Sequence, residues 1–328
     1  MAAQGVTEGV PVVQMSQIVS EMSATWRSYL PEHALRLLLT TDSVNNLPVT
    51  HRVQAVTLFA DVVGFTAMTE SLADAGSYGT EQLTRIINRW FAVTADAIAG
   101  SGGSVVDFAG DALVGIFVHT PETAAAVARR AFRCADLIRE ATASVTPVPT
   151  PGGPRSLTIR LGLAGGPLLM MLVGDPAIRL QHLVAGPSLD RAIDALHRAG
   201  QGEIVADPSL DGVAGPVEPD EPVPVAGDPP PGDLERLLTP FLHPAIRDRL
   251  RSGRHELVNE HRQVTTAFVR LPDLDVDDPV TVQALQDYLA TGVAVIDRYG
   301  GHLRHLMADD KGTVLVAVGI GVWQLALV

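Results

Sequence analysis

The chain has 328 residues, a formal net charge of -13 and one cysteine, Cys134. That length accommodates two domains. The acidic balance argues against non-specific nucleic-acid binding, which needs a basic surface to displace counterions. A lone cysteine excludes an intramolecular disulfide and fits a reducing, cytoplasmic compartment. Met1 to Gly9 lacks the basic segment and apolar run of a secretory signal. The longest apolar stretch, Thr313 to Val328, is short of the ~20 residues that cross a bilayer and contains Gln324, so no membrane association is expected. Lys311 is the only lysine; the preference for arginine, with abundant Ala, Gly and Pro, reads as a GC-rich bacterial genome.

Residues 1–50 form a leader with a helical pattern over Ser23 to Thr40, interrupted at Pro31. Val53 to Val63 reads as a buried strand that ends in the turn Gly64-Phe65-Thr66. Thr80 to Ile98 is an amphipathic helix with Leu83, Ile86, Ile87, Trp90, Phe91, Thr94 and Ile98 on one face, stopped by Gly100-Ser101-Gly102-Gly103. Ser104 to Phe108 and Ala112 to Val118 then predict a hairpin around Ala109-Gly110-Asp111.

A helix follows, to about Ala143, with Thr120 as N-cap and Pro121 at its first position. Next come strands at Leu157–Ala164, Met170–Val173 and His182–Val184, a helix at Ser188–Arg198 and a strand at Glu203–Val205. This order predicts an α+β domain at 51–208, a mixed sheet with helices packed on one face. Residues 209–258 are a Pro-rich acidic linker and a helix, Leu234 to Arg251, broken at Pro244.

From 259 the pattern begins again. Val264 to Val269 echoes Ala55 to Ala60, and Gly300-Gly301 to Ala308-Asp309 echoes Gly102-Gly103 to Gly110-Asp111 at the same interval. Residues 259–328 are therefore expected to be a partial second copy.

The chemistry is concentrated in two segments, Phe59 to Thr66 and Phe108 to Leu113. Asp61 lies where a strand leaves the sheet, and Asp111 lies on a hairpin tip. If the two strands are neighbours, both carboxylates converge on one point, a donor set for hard divalent ions and an incoming triphosphate. Val62, Val63, Gly64, Phe65 and Thr66 lead into a helix whose first N–H groups can hold phosphate oxygens. A lone Asp at a strand end is usually a turn residue or cap, and a lone Gly-Asp is usually a turn; the pair in this context is far more specific.

These two segments resemble the metal-site motifs of class III adenylyl cyclases, and most closely the soluble-adenylyl-cyclase-like branch with two cyclase domains in tandem. Arg160-Leu161-Gly162-Leu163-Ala164-Gly165, Phe241-Leu242-His243-Pro244 and Asp310-Lys311-Gly312 resemble later motifs of that branch. The resemblance implies a ferredoxin-like, palm-type sheet and an adenylate cyclase converting ATP to cyclic AMP and pyrophosphate. It further implies that Asp61 and Asp111 bind two Mg²⁺ or Mn²⁺, with the Val62 carbonyl completing one site. One ion would lower the pKa of the ribose 3′-hydroxyl and the other would hold the leaving pyrophosphate. Arg160 would face the triphosphate and Lys311 the purine, in a site formed between two cyclase domains.

The sequence also departs from that pattern. Catalytic second domains carry an Asn and an Arg four residues apart on a later helix; the first copy has Asp190 and Asp194 there, and the second copy does not reach it. Arg270 stands where the first copy has Asp61. Two readings follow: an adenylate cyclase impaired alone, which pairs its two repeats or takes the Asn/Arg half-site from a partner chain; or a nucleotide-binding pseudocyclase without turnover. A diguanylate cyclase is disfavoured because its Gly-Gly-Asp/Glu-Glu-Phe hairpin is missing. Asp107 and Ile193 replace the basic pair that holds bicarbonate in animal members of the branch, so bicarbonate is not expected to activate.

Overall fold

The computed structural model describes residues 26–27, 29–40, 46–73, 76–144, 147–148, 150, 153–211, 231–252, 265–271, 275–309 and 312–319. Its first element is a helix, α1, at Glu32–Leu39, with Pro31 at the N-cap rather than inside it. The first sheet contains β1 (Val49–Val63), β2 (Ser104–Ala109), β3 (Ala112–His119), β4 (Thr158–Asp175), β5 (Arg179–Ala185) and β6 (Ile204–Ala206). Its order is β2-β3-β1-β4-β5, with β6 added parallel to β4. All other pairings are antiparallel.

Period-2 alternation along β1 sorts its side chains to two faces. Val56, Leu58, Ala60 and Val62 enter one core, together with Met68 and Leu72 of α2 (Phe65–Ala73), Trp90 and Ile98 of α3 (Gly76–Gly100), and Ala131 and Ile138 of α4 (Ala124–Ser144). The Trp90 indole N–H donates to the Thr142 hydroxyl at 3.0 Å and ties α3 to α4. Ala55 and Phe59 enter a second core with Leu35 and Leu38 of α1 and with Leu189, Ala192 and Leu196 of α5 (Pro187–Arg198). Helices thus cover both faces, not one. Glycine makes the second face possible: a Cβ at Gly162 would collide with the backbone of Ala192 and Leu196.

Two boundaries differ from the sequence expectation. Thr120 does not cap α4. The Thr120 N–H donates to the Thr123 hydroxyl at 2.9 Å, the Thr123 N–H returns to the Thr120 carbonyl at 3.1 Å, and the first helical bond is from Val127 to Thr123. Pro121 therefore sits in a closed turn. The strands expected at Leu157–Ala164 and Met170–Val173 are one 18-residue strand, because Gly165, Gly166 and Pro167 keep their register opposite Val56, Ala55 and Gln54.

The connecting segment has α6 (Pro231–Leu238), a 3₁₀ turn at Thr239–Phe241 and α7 (Pro244–Arg251). It is anchored to the second core by Leu234, Leu238, Phe241 and Leu242. Beyond it lies a three-stranded sheet of β7 (Thr265–Arg270), β8 (His302–Asp309) and β9 (Gly312–Gly319), in the order β7-β9-β8, with α8 (Pro279–Arg298) between β7 and β8. The corresponding order in the first sheet is β1-β3-β2, with α3 between β1 and β2.

The two halves share further detail. α3 and α8 each end in a Gly-Gly pair whose first member has positive φ, Gly102 at 77° and Gly300 at 68°. Gly103 donates to Ile98 O and Gly301 to Ile296 O, both at 2.9 Å, a Schellman-type stop that frees the chain to start a strand. β2 is bulged between Val105 and Asp107, and β8 between Leu303 and His305. Counted from the bulges, Arg270 opposite Val314 occupies the place of Asp61 opposite Ala112. The second hairpin then continues for two more residue pairs, Ala308–Thr313 and Asp309–Gly312.

The halves are joined by a third apolar cluster: Leu169, Met171, Val173 and Leu183 of β4 and β5 against Val282, Leu285, Leu289 and Val293 of α8. Within it the buried Gln286 amide accepts from Gly174 N–H at 2.9 Å and donates to Gly174 C=O at 2.8 Å. At the rim Arg52 pairs with Asp277 at 2.5 Å and donates to the Val276 carbonyl at 2.6 Å.

Candidate active site

β1 delivers Asp61 to the end of its ladder with β3: Asp61 lies opposite Ala112, and no pair follows. On its other edge β1 continues to Val63 opposite Thr158. Val62 and Val63 therefore have a ladder partner on one side and face the Gly110-Asp111 tip region on the other. Gly110, at φ 68°, lets the chain reverse between Ala109 and Ala112, which sets Asp111 one residue from the partner of Asp61. The fold thus brings the two acidic motifs together on neighbouring strands.

Gly64 connects β1 to α2 at φ 96°, and a Cβ there would lie 3.2 Å from Ser156 O, so a side chain would be strained by the backbone conformation and crowded by that carbonyl. Phe65 and Thr66 form the first turn of α2, whose opening hydrogen bond runs from Met68 N–H to Gly64 O at 3.1 Å. The preceding N–H groups point out of the helix end beside the strand terminus that carries Asp61.

Arg160 lies directly across the ladder from Asp61. Its Nε donates to Asp61 Oδ2 at 2.7 Å, with Asp61 15% and Arg160 36% exposed. The basic residue expected against a triphosphate is here held by the carboxylate that would ligate a metal. Phe108, half exposed, packs edge-on to Phe91 with ring centroids 4.9 Å apart and braces the hairpin. Lys311 lies outside the described residues; the hairpin that bears it is two pairs longer than the Asp111 hairpin.

The donor set suits Mg²⁺ or Mn²⁺. Two carboxylates and nearby backbone oxygens are hard ligands, and such ions bind through one or two carboxylates plus substrate phosphates. Among the described residues no group of three or more His, Cys, Asp or Glu gathers at one point, so a soft or closed structural metal site is not formed there.

On α5, Asp190 and Asp194 are both exposed. Burial, and then the neighbouring Asp194, push the Asp190 carboxyl above its ordinary range. This helix therefore presents two carboxylates one turn apart on its exposed face. A small cavity lies between β2, β5 and β8, lined by Asp107, His182, Leu189 and Leu306 among others, with no arginine or lysine in its wall.

No family model matches the chain. Curated relatives do. The chain is 26% identical over 185 residues to adenylate cyclase type 10 of Mus musculus, covering 54% of this chain and 11% of that protein. It is 28% identical over 181 residues to the protein of the same name from Oryctolagus cuniculus, again covering 54% of this chain and 11% of the relative. Its homologues are adenylate cyclases of type 10. The chain thus spans about a tenth of the length of the curated relatives it matches. Among solved structures, the adenylyl cyclase CyaB from P. aeruginosa aligns at 20% identity over 50% of this chain and 81% of that one, with a TM-score of 0.42. The guanylate cyclase domain of RhGC from Catenaria anguillulae, in complex with GTP, aligns at 23% identity over 49% and 85%, with a TM-score of 0.40.

Sequence reasoning missed Gln286, Arg179, and the meeting of His243 with His302. His243 lies in the Phe241-Leu242-His243-Pro244 segment, but its meeting with His302 is tertiary; Gln286, His302 and Arg179 lie in no motif, and each matters only because the second sheet docks on β4 and β5. No helix among the described residues is long and apolar enough to cross a membrane.

Proposed function

We propose that this chain is an adenylate cyclase acting on ATP, with its metal half-site at Asp61 and Asp111. The observation that carries the reading is the register that sets Asp61 of β1 and Asp111 of the β2–β3 hairpin at neighbouring strand ends beside the N-terminus of α2. Two bound Mg²⁺ or Mn²⁺ would supply an activated ribose 3′-hydroxyl and charge neutralisation for pyrophosphate. Asp61, Asp111 and the Val62 carbonyl would hold them. The N–H groups from Val63 to Thr66 would cradle phosphate oxygens, and Arg160 would move from Asp61 to the triphosphate when nucleotide arrives.

In this reading 51–208 is a first cyclase domain, 209–258 a linker, and 259–328 part of a second. The matched strand order, Gly-Gly stops and bulges support it. Lys311 would donate to the purine across the joint between the halves. Lys311→Ala should then reduce the preference for ATP over GTP, and an unchanged ratio would make it a surface turn residue. A cytoplasmic location belongs to the same reading.

Turnover by a chain of these residues should be weak. α5 carries Asp190 and Asp194 in place of Asn and Arg, and loss of one charge-stabilising donor typically costs on the order of 10²–10³ in rate. An Asn/Arg pair supplied by another cyclase half-site, for instance from a partner chain, would complete the site. A second reading is a nucleotide-binding pseudocyclase, favoured by the Arg160–Asp61 ion pair, which ties up a metal ligand. A cyclic AMP assay with ATP and Mn²⁺ separates the two: slow formation that disappears in Asp61→Asn supports the enzyme, and Mn²⁺-ATP binding with no product supports the pseudocyclase.

A further inference from the structure

Arg179 opens β5 just after the turn that follows β4, opposite Asp175 in the register. It does not pair with that carboxylate, which accepts instead from the Ala177 N–H at 2.8 Å. The Arg179 side chain turns inward, and its Nε and Nη1 are shut off from solvent with no hydrogen-bond acceptor. A buried guanidinium with unanswered N–H groups is among the least favourable arrangements in a folded chain, and such orphans mark strain or a site for water or an ion.

Its neighbours deepen the imbalance. Arg247 of α7 is close enough for its charge to oppose that of Arg179. His243, between the 3₁₀ turn and α7, meets His302 of β8 edge to face, with Nε2 atoms 2.6 Å apart and ring centroids 3.8 Å apart. Burial first, then His302, Arg179 and Arg247, push His243 down to about 3. Burial and Arg179 lower His302, against Asp297 alone. Asp297 acts on His302 in the opposite sense, and among the described residues neither Arg179 nor Arg247 forms an ion pair.

Three elements meet here: β5 of the first sheet, the connecting segment, and β8 of the second. We propose that Arg179, Arg247, His243 and His302 form a binding site for a small oxyanion of the phosphate class at the joint between the two sheets, distinct from the Asp61–Asp111 site. An oxyanion would accept from the orphaned Arg179 N–H groups, balance both guanidinium charges and let the imidazoles donate to it. Because it would touch groups from both halves, its binding would fasten the second sheet to the first. Burial first, and neighbouring cations second, hold the imidazoles neutral, so an anion raises their pKa values, and binding takes up protons and tightens as the pH falls.

The test is titration of inorganic phosphate into the full chain without divalent cations, followed by calorimetry and by the imidazole resonances of His243 and His302. Saturable binding that shifts both resonances is expected, weakened about tenfold or more in Arg179→Gln, as for loss of one charge-assisted contact. Arg247→Gln, on a less buried residue, should weaken it in the same direction and decides the matter if Arg179→Gln fails to fold. ATP competing for the same resonances would make a nucleotide phosphate the ligand; failure to compete would make it free phosphate. Absence of saturable binding, or parental affinity in both variants, overturns the proposal.

Discussion

β1 in the first sheet has β3 along one edge and β4 along the other, and its ladder with β3 ends at Asp61 next to the Asp111 tip. β7 in the second sheet has β9 along one edge and ends in Arg270, at the position equivalent to Asp61 when the two hairpins are counted from their bulges. Strand order, helix stop and bulge are alike in both halves. At one register position the side chains are opposite in sign, Asp61 in the first half and Arg270 in the second. A shared backbone frame therefore fixes where a reacting group would sit, and a few residues decide whether that place attracts a metal ion or repels it. The surfaces differ too: Phe268 of β7 is 72% exposed, whereas Phe59 of β1 is 4% exposed.

The joint between the halves gives the largest expected change. Gln286→Ala leaves the buried N–H and C=O of Gly174 without partners, which should cost about 2–4 kcal/mol. If the second sheet is bound as described, the loss should appear as faster hydrogen exchange in α8 and β8 with β1–β3 protected. Uniform loss of protection across both sheets would mean that the halves unfold as one.

Acid should strike the first half through His33. The ring is 4% exposed, contacts the Ser104 hydroxyl through Nδ1 at 3.1 Å, and lies edge-on to His182. Burial pushes it down to about 4. A His with a depressed folded pKa stabilises above its unfolded value of 6.5 and loses that contribution as pH falls towards 4. The loss should approach about 3 kcal/mol. Denaturant titrations at pH 7 and pH 4.5 should show it, and His33→Gln should flatten the dependence; an unchanged slope would place the acid sensitivity elsewhere.

Arg160→Ala sharpens the contrast at the site itself. Freeing Asp61 from its ion pair should raise affinity for Mn²⁺ alone by about tenfold, whereas Mn²⁺-dependent ATP affinity should fall. Calorimetry reads both, and a parallel change in the two constants would show that Arg160 does not pass between carboxylate and phosphate. The smallest expected effect is none: bicarbonate at constant pH should leave any activity unchanged, because the cavity beside Asp107 has no arginine or lysine in its wall. Stimulation would contradict this.

Much of this was legible in the sequence because local chemistry is strong there. The β1, α3 and hairpin pattern, the two acidic motifs and the inter-half echo all follow from periodicity and glycine punctuation. The long β4 was not legible, because Gly165-Gly166-Pro167 reads as a break and only its pairing with β1 keeps it in the ladder. Thr120 misled because a Thr-Pro-Glu start is a common cap, and Thr123 competes for the same bonds. Helices on both faces follow from the Gly162 contact, which is tertiary. Arg160 was recognisable as a site residue, but its bond to Asp61 needs the cross-strand register. Gln286, His302 and Arg179 carry no sequence signal, and the motif around His243 does not reveal its contact with His302, since these roles exist only once the second sheet has docked.

The most direct measurement is Mn²⁺-dependent ATP binding by the parent chain, Asp61→Asn and Asp111→Asn, with thermal stability followed alongside. Each variant should lose binding by about 10²-fold or more, as for a charged ligand removed from a divalent site, and should keep or raise the melting temperature because two close carboxylates no longer repel. Parental Mn²⁺-ATP affinity in either variant would contradict the assignment of the two carboxylates as the metal half-site.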